Sequence, residues 1–160
     1  MKVQIRQAIK SDAAAILALI QELAVFEKEP DAVVVKEEDI KAHGFGVNPL
    51  FQCLVAESDG QVIGMALFYP RYSTWKGPTL HLEDLIVTES HKGRGVGTAL
   101  YKAFIEHAYT SGVNRIEWVV LDWNNTAVQF YKKSGAQVLQ EWDTVQMDRE
   151  TMAHYLKKKK

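Results

Sequence analysis

The sequence predicts an α/β (α+β) architecture, a mixed central sheet with helices on both faces and elements in the order β-α-α-β-β-β-α-β-α-β. Three observations predict it. Apolar residues recur at helical spacing near the N-terminus, and two apolar runs flank an Asp-Gly turn further on. From Thr79 to Leu121 a strand, a glycine-rich turn, a helix and another strand follow one another, the pattern of a right-handed parallel crossover.

Val3 and Ile5 open a short strand, after which Ser11 can cap a helix carrying Ile16, Leu19, Ile20, Leu23 and Phe26 at helical spacing. Pro30 should end it. A weaker helix covers residues 36–43 and stops at Gly44. Residues 51–57 and 62–69 read as antiparallel strands joined at Ser58-Asp59-Gly60. Residues 70–78 carry two prolines, Gly77 and the Ser73-Thr74 pair, which predicts an irregular connection. Residues 79–88 read as a strand. The turn at 92–97 opens a helix that buries Leu100, Phe104, Ile105 and Ala108 and stops at Ser111-Gly112. A strand at 115–121, a short helix at 126–134 ended by Gly135, and one or two closing strands within 138–147 complete the chain.

With 160 residues, of which 47% are apolar, the chain suits one domain, placed at residues 1–156, followed by a basic tail at 157–160. A net charge of −1 gives no global field toward nucleic acid or an acidic membrane surface, so neither is expected as a partner. No secretory leader and no membrane-spanning apolar run is expected. The single cysteine, Cys53, sits in an apolar strand, where a buried small hydrophobe is the expected role rather than a catalytic thiol. One cysteine supports neither a disulfide framework nor a structural zinc, so no metal is expected, and a reducing, cytoplasmic setting is the expectation that fits.

Chemistry concentrates at Lys92-Gly93-Arg94-Gly95-Val96-Gly97-Thr98. Its glycines let backbone N–H groups converge on a ligand, the helix start adds positive potential, and Lys92 and Arg94 add cations, which together suit a pyrophosphate. The plain alternative is a tight turn. A Walker loop is absent, and the dinucleotide fingerprint fails at its third glycine, where Thr98 or Leu100 stands; Glu117 some twenty residues on leaves that reading weakened rather than abolished.

That run, with Leu85-Ile86-Val87 before it and Ala99-Leu100 after it, resembles motif A of the GNAT N-acetyltransferases, Gln/Arg-x-x-Gly-x-Gly/Ala, with Lys92 replacing the usual first residue. Asn124, Ala127, Phe130-Tyr131 and Gly135-Ala136 resemble motif B of the same superfamily. The likeness extends to the diamine acetyltransferases, which comprise spermidine/spermine and thialysine acetyltransferases. It is carried by Glu22-Leu23-Ala24-Val25-Phe26-Glu27-Lys28, Gly44-Phe45-Gly46, Cys53-Leu54-Val55-Ala56-Glu57, Tyr72-Ser73-Thr74-Trp75-Lys76-Gly77, Leu82-Glu83-Asp84 and Val120-Leu121-Asp122-Trp123-Asn124.

The resemblance implies a GNAT fold, acetyl-CoA as co-substrate, a small-molecule primary amine as acceptor and a homodimer. It makes Glu83 the carboxylate that accepts the amine's proton through water, which is needed because an ammonium of pKa ~10.4 is almost wholly protonated at neutral pH. Asp84, its neighbour on the strand, should point to the opposite face. Backbone groups of Leu85, Ile86 and Val87 would meet the pantetheine arm and the thioester. Asn124, with Ala127, would hold that arm, although an Asn there is equally suited to capping a helix. Tyr131 would protonate the departing thiolate, a transfer uphill by about 2 kcal/mol unless the site lowers the phenol's pKa. Phe26, Glu27, Glu117, Glu141 and Trp142 match positions near the acceptor amine, although the acidic run 27–39 by itself reads as a solvated helix face. The polyamine-specific branch has an acidic residue before the loop tryptophan, where this chain has Ser73-Thr74-Trp75; that favours a compact amino-acid-like amine such as thialysine over spermidine. No cysteine lies in a motif, so direct transfer in a ternary complex is expected. A non-catalytic acetyl-CoA sensor and a protein-lysine acetyltransferase are the competing readings.

Overall fold

Asp59 and Gly60 adopt φ of 53° and 77°, the left-handed pair that lets a two-residue turn follow the twist of its strands. In the computed structural model, which describes residues 2–157, this turn joins β2 (Gln52–Ser58) to β3 (Gln61–Ser73). β1 (Val3–Gln7) pairs antiparallel with β2, β3 pairs antiparallel with β4 (Gly77–Val87), and β5 (Ile116–Glu117) pairs parallel with β4. The sheet order is therefore the chain order. Helices α1 (Ala13–Phe26) and α2 (Glu37–Phe45) fall between β1 and β2, and α3 (Val96–Thr110) falls between β4 and β5.

The pleat sorts the core onto two faces. Cys53, Val55, Met65, Leu67 and Ile86 pack with Ile16 and Leu19 of α1 and Ile40 of α2. Their strand neighbours Leu54, Ala56, Ala66, Phe68, Leu80, Leu82 and Val87 pack on the other side with Val96, Leu100, Phe104 and Ala108 of α3. Helices thus cover both faces, as the near-continuous apolar strands require. The Phe68 and Phe104 rings, both fully buried, meet at 5.0 Å.

Several elements depart from the sequence expectations. Residues 70–78 are not an irregular connection: β3 and β4 stay paired from Pro70↔Leu80 to Ser73↔Gly77. The two prolines are tolerated because β2 pairs β3 only as far as Phe68 and β5 pairs β4 only from Leu80, so each proline lies where one strand edge has no neighbour. Ser73 Oγ closes the turn by accepting from Trp75 N and Lys76 N. Helix α1 ends at Phe26, before Pro30, and Lys28 beyond its C-cap takes a φ of 65° that lets Glu29 N reach back to Ala24 O. Gly44 does not stop α2; it lies inside the helix, where a Cβ would come within 2.4 Å of the Phe51 ring.

The second unit begins at Val120 and contains α4 (Asn125–Lys133) and α5 (Arg149–Lys157). The closing strands expected within 138–147 are replaced by irregular chain with a turn at Gln140-Glu141, because a strand exists only where another offers its backbone groups. α5 was missed, although Asp148 caps it by accepting from Thr151 N at 2.8 Å. Of the expected basic tail, Lys157 closes α5 and residues 158–160 lie outside the described residues.

Gly64 sits where β3 passes under α3. A Cβ there would lie 2.8 Å from Ile86 O and 3.1 Å from Leu100 Cδ1. Gly64→Ala should lower stability by about 1–3 kcal/mol in urea unfolding, through overpacking against backbone that cannot move aside.

Candidate functional site

Two irregularities of β4 shape the site. First, β5 pairs with β4 only at Leu80↔Ile116 and His81↔Glu117, while β4 runs on to Val87. The backbone of Leu85, Ile86 and Val87 is paired to β3 on one side and, among the described residues, has no strand on the other. Second, the β3–β4 register shifts: Phe68 faces Leu82, whereas Leu67 faces Asp84, so Glu83 is the extra residue of a bulge. Leu82 packs on the α3 side, and Asp84 opposes Leu67 on the α1 side.

The bulge overturns the expectation that Glu83 and Asp84 point to opposite faces. Glu83 accepts a 2.8 Å hydrogen bond from the hydroxyl of Tyr69, which shares the face of Leu67 two residues earlier. His81 stacks on the Tyr69 ring at 5.2 Å, and its Nε2 lies 3.6 Å from the same Glu83 oxygen. Glu27, at the C-cap of α1, completes an acidic cluster. Burial pushes the Asp84 carboxyl up to about 7, and the charges of Glu83 and Glu27 add to the rise. Glu27 is raised too, by burial and then by Glu83. Burial, the bond to Glu83 and that carboxylate's charge push the Tyr69 phenol up to about 12, which keeps it a donor. Three carboxyls in one partly desolvated place, at the negative end of α1, form a site prepared for a cation.

Beyond β4 the chain makes a 3-10 turn, Glu89–His91, and then the glycine run. Gly93 and Gly95 have φ of 73° and 81°, and nothing lies within 4 Å of where a Cβ would stand on either, so these glycines serve backbone conformation rather than packing. Gly95 is the N-cap of α3 and offers no side chain to its first N–H groups, those of Val96, Gly97 and Thr98. The arrangement fits an anionic ligand. Glu22 of α1 anchors the loop, its Oε1 accepting from Glu89 N at 2.8 Å and Thr88 Oγ1 at 3.2 Å. Lys92 is engaged with Glu89 at 2.6 Å and lies 4.9 Å over the Phe26 ring. Arg94 stands exposed between the two left-handed glycines.

Glu117 is placed differently from the other acceptor-side acids, paired with Arg71 and, at 3.3 Å, with Arg115. In the second unit Asn124 caps α4: its Oδ1 accepts from Ala127 N at 3.2 Å. Tyr131, in α4, packs edge-on to Phe130 at 5.4 Å, and Glu141 and Trp142 are exposed within that unit. Cys53 is buried and its thiol is pushed up to about 12, as the expectation of an inert cysteine requires. Sequence reasoning missed Tyr69, Arg71, His81 and Glu22 as site residues. Arg71 falls in the 70–78 stretch whose prolines mask its strand character, while Tyr69 and His81 lie in expected strands and join the site only through the pairing that brings them beside Glu83.

Residues 14–136 match the family described as Acetyltransferase (GNAT) family. The chain is 41% identical to the thialysine N-epsilon-acetyltransferase of Bos taurus over 94% of its own length and 95% of the relative's. It is 42% identical to that of Mus musculus, covering 93% and 94%. An integron cassette protein from V. cholerae shares the fold, with a TM-score of 0.79 at 23% identity over 98% of this chain and 99% of that one. A strand left open by its neighbour, an uncapped glycine-led helix and this sequence likeness agree, and the chain belongs to the GNAT family of acetyltransferases as an enzyme that transfers an acetyl group to an amine.

Proposed function

We propose that the acetyl group comes from acetyl-CoA and passes directly, in a ternary complex, to the side-chain amine of a small amino-acid-like acceptor such as thialysine or a related lysine analogue, diamines being the wider class. One observation carries this: the acidic cluster and the uncapped start of α3 lie at the two ends of a β4 stretch whose outer edge has no strand partner.

When bound, acetyl-CoA supplies an activated thioester. Lys92, Gly93, Arg94, Gly95, Val96, Gly97 and Thr98 hold its pyrophosphate, chiefly through N–H groups. The open backbone of Leu85, Ile86 and Val87 holds the pantetheine arm and stabilises charge on the carbonyl oxygen. Asn124 supports the arm through its amide nitrogen, since its Oδ1 is committed to Ala127, whose own part is then packing. Glu27, Glu83 and Asp84 bind the acceptor ammonium beside Phe26, with Glu117 acting through its arginines, and likeness to the diamine acetyltransferases assigns Glu141 and Trp142 to the acceptor as well. Glu83 takes the proton through water, and Tyr131 serves the leaving sulfur. The buried Cys53 supports direct transfer, because it offers no accessible thiolate for an acetyl-enzyme.

The family match crosses the boundary between the two units and supports one domain over residues 1–156. Exposed Leu139, Trp142, Val145, Met147, Tyr155 and Leu156 support a homodimer. A lone buried cysteine supports a cytoplasmic setting. Among the described residues no helix is long and apolar enough to cross a membrane.

Coenzyme A release across thialysine, lysine, spermidine and an intact protein tests the acceptor class; turnover should be highest with the free amino acids, and none with any amine would favour a sensor. With saturating amine, Glu83→Gln should lower kcat by about 10²–10⁴-fold, and Tyr131→Phe should lower it too; unchanged turnover in both removes these assignments.

Asp84 gives a pH-linked expectation. Its raised folded pKa means that the fold favours the protonated acid, a contribution present below the ordinary carboxylate range and lost as pH rises through about 7. Asp84→Asn should therefore gain stability at pH 8 relative to pH 5, as read by thermal midpoints. An ammonium bound beside Asp84 favours its ionised form, so amine binding at pH 7 should release about half a proton. Calorimetry in buffers of different ionisation enthalpy measures that release, which should vanish in Asp84→Asn.

A further inference from the structure

The α1-side face of the sheet changes sign of charge along β3. Tyr69, which holds Glu83, is followed two residues later by Arg71 on the same face, roughly 7 Å further along the strand. Arg71 and Arg115 share one carboxylate, that of Glu117, so this group of three carries two guanidiniums against one acid and keeps a net positive charge. The Arg71 side chain is 56% exposed. A guanidinium has five donors in a planar fork, so pairing through Nη1 leaves Arg71 further N–H groups with which to grip a second carboxylate. The Arg71 charge is also felt at the Tyr69 hydroxyl, which places it within electrostatic reach of the acidic cluster.

We propose that Arg71 determines acceptor specificity by binding the α-carboxylate of an amino acid whose side-chain amine lies in the Glu27–Glu83–Asp84 cluster. This rests on the acetyl-transfer reading above and narrows it to a class, amino acids bearing a terminal amine at the end of a lysine-length side chain. The two charges of such an acceptor match the two ends of the face, and an extended side chain of that length spans two strand residues. A diamine lacks the anion and brings a second cation toward Arg71 and Arg115, a like-charge contact that weakens its binding.

Steady-state kinetics with three acceptors test this: thialysine, its methyl ester, and the diamine formally obtained by removing its carboxyl group. The wild-type enzyme should favour thialysine over both others by at least tenfold in kcat/KM, mainly through KM. Arg71→Gln should reduce the thialysine-to-diamine ratio of kcat/KM at least tenfold, and Arg71→Lys should restore part of it. Equal use of thialysine and its ester by the wild-type enzyme overturns the inference without any variant, and so does an Arg71→Gln effect that is the same for every acceptor. Loss of coenzyme A release with all three acceptors in the wild-type enzyme would instead overturn the acetyl-transfer reading on which the inference rests.

Discussion

The site depends on how β4 is paired. Its register with β3 slips by one residue at Glu83, and its parallel partner β5 stops at Glu117. Without the slip, Glu83 and Asp84 would alternate across the sheet and no acidic cluster would form. Without the early end of β5, the backbone of Leu85, Ile86 and Val87 would be consumed by sheet hydrogen bonds. A bulge and a short edge neighbour together give a core strand an edge that β5 does not pair and two carboxyls on one side. The side chains of Leu82, Ile86 and Val87 remain in the core, so the strand is held while its edge is offered.

Burial and like charge then act in one direction on the acids. Asp84 is the most buried of the three and its proton is held to about pH 7, while Glu83 keeps a donor in Tyr69 and contact with solvent. The two carboxyls therefore differ in state: burial holds the proton on Asp84, while Glu83 is exposed and accepts from the Tyr69 hydroxyl. The pairing of Arg71 and Arg115 with Glu117 adds the opposite charge to the same sheet, with Arg71 and Glu117 both carried on strands.

The anion cradle is tied to the same frame. Glu22 reaches from α1 to the first turn after β4, and Lys92 folds back over Phe26 at the end of α1. One helix therefore fixes both the loop that precedes α3 and the residue, Glu27, that closes the acidic cluster. The left-handed Lys28 that follows the α1 C-cap is part of this arrangement, since it turns the chain away immediately after Glu27.

Local chemistry was legible in the residues themselves. The Asp59-Gly60 turn, the glycine run before α3, the helical spacing of α1 and α3, the inert Cys53 and the capping capacity of Asn124 all follow from short-range sterics and period, which the sequence carries in full. The sequence also pointed to the antiparallel β2–β3 hairpin and the parallel β4–β5 crossover, but not to how far each pairing extends or in what register. The continued hairpin through Pro70 and Pro78, the two-residue β5, the bulge at Glu83, the absence of a closing strand within 138–147 and the capture of Glu117 by Arg71 and Arg115 each depend on which distant backbone or side chain comes alongside. A strand's hydrogen bonds and an ion pair's partner lie outside the segment that needs them, and so only the tertiary structure decided them.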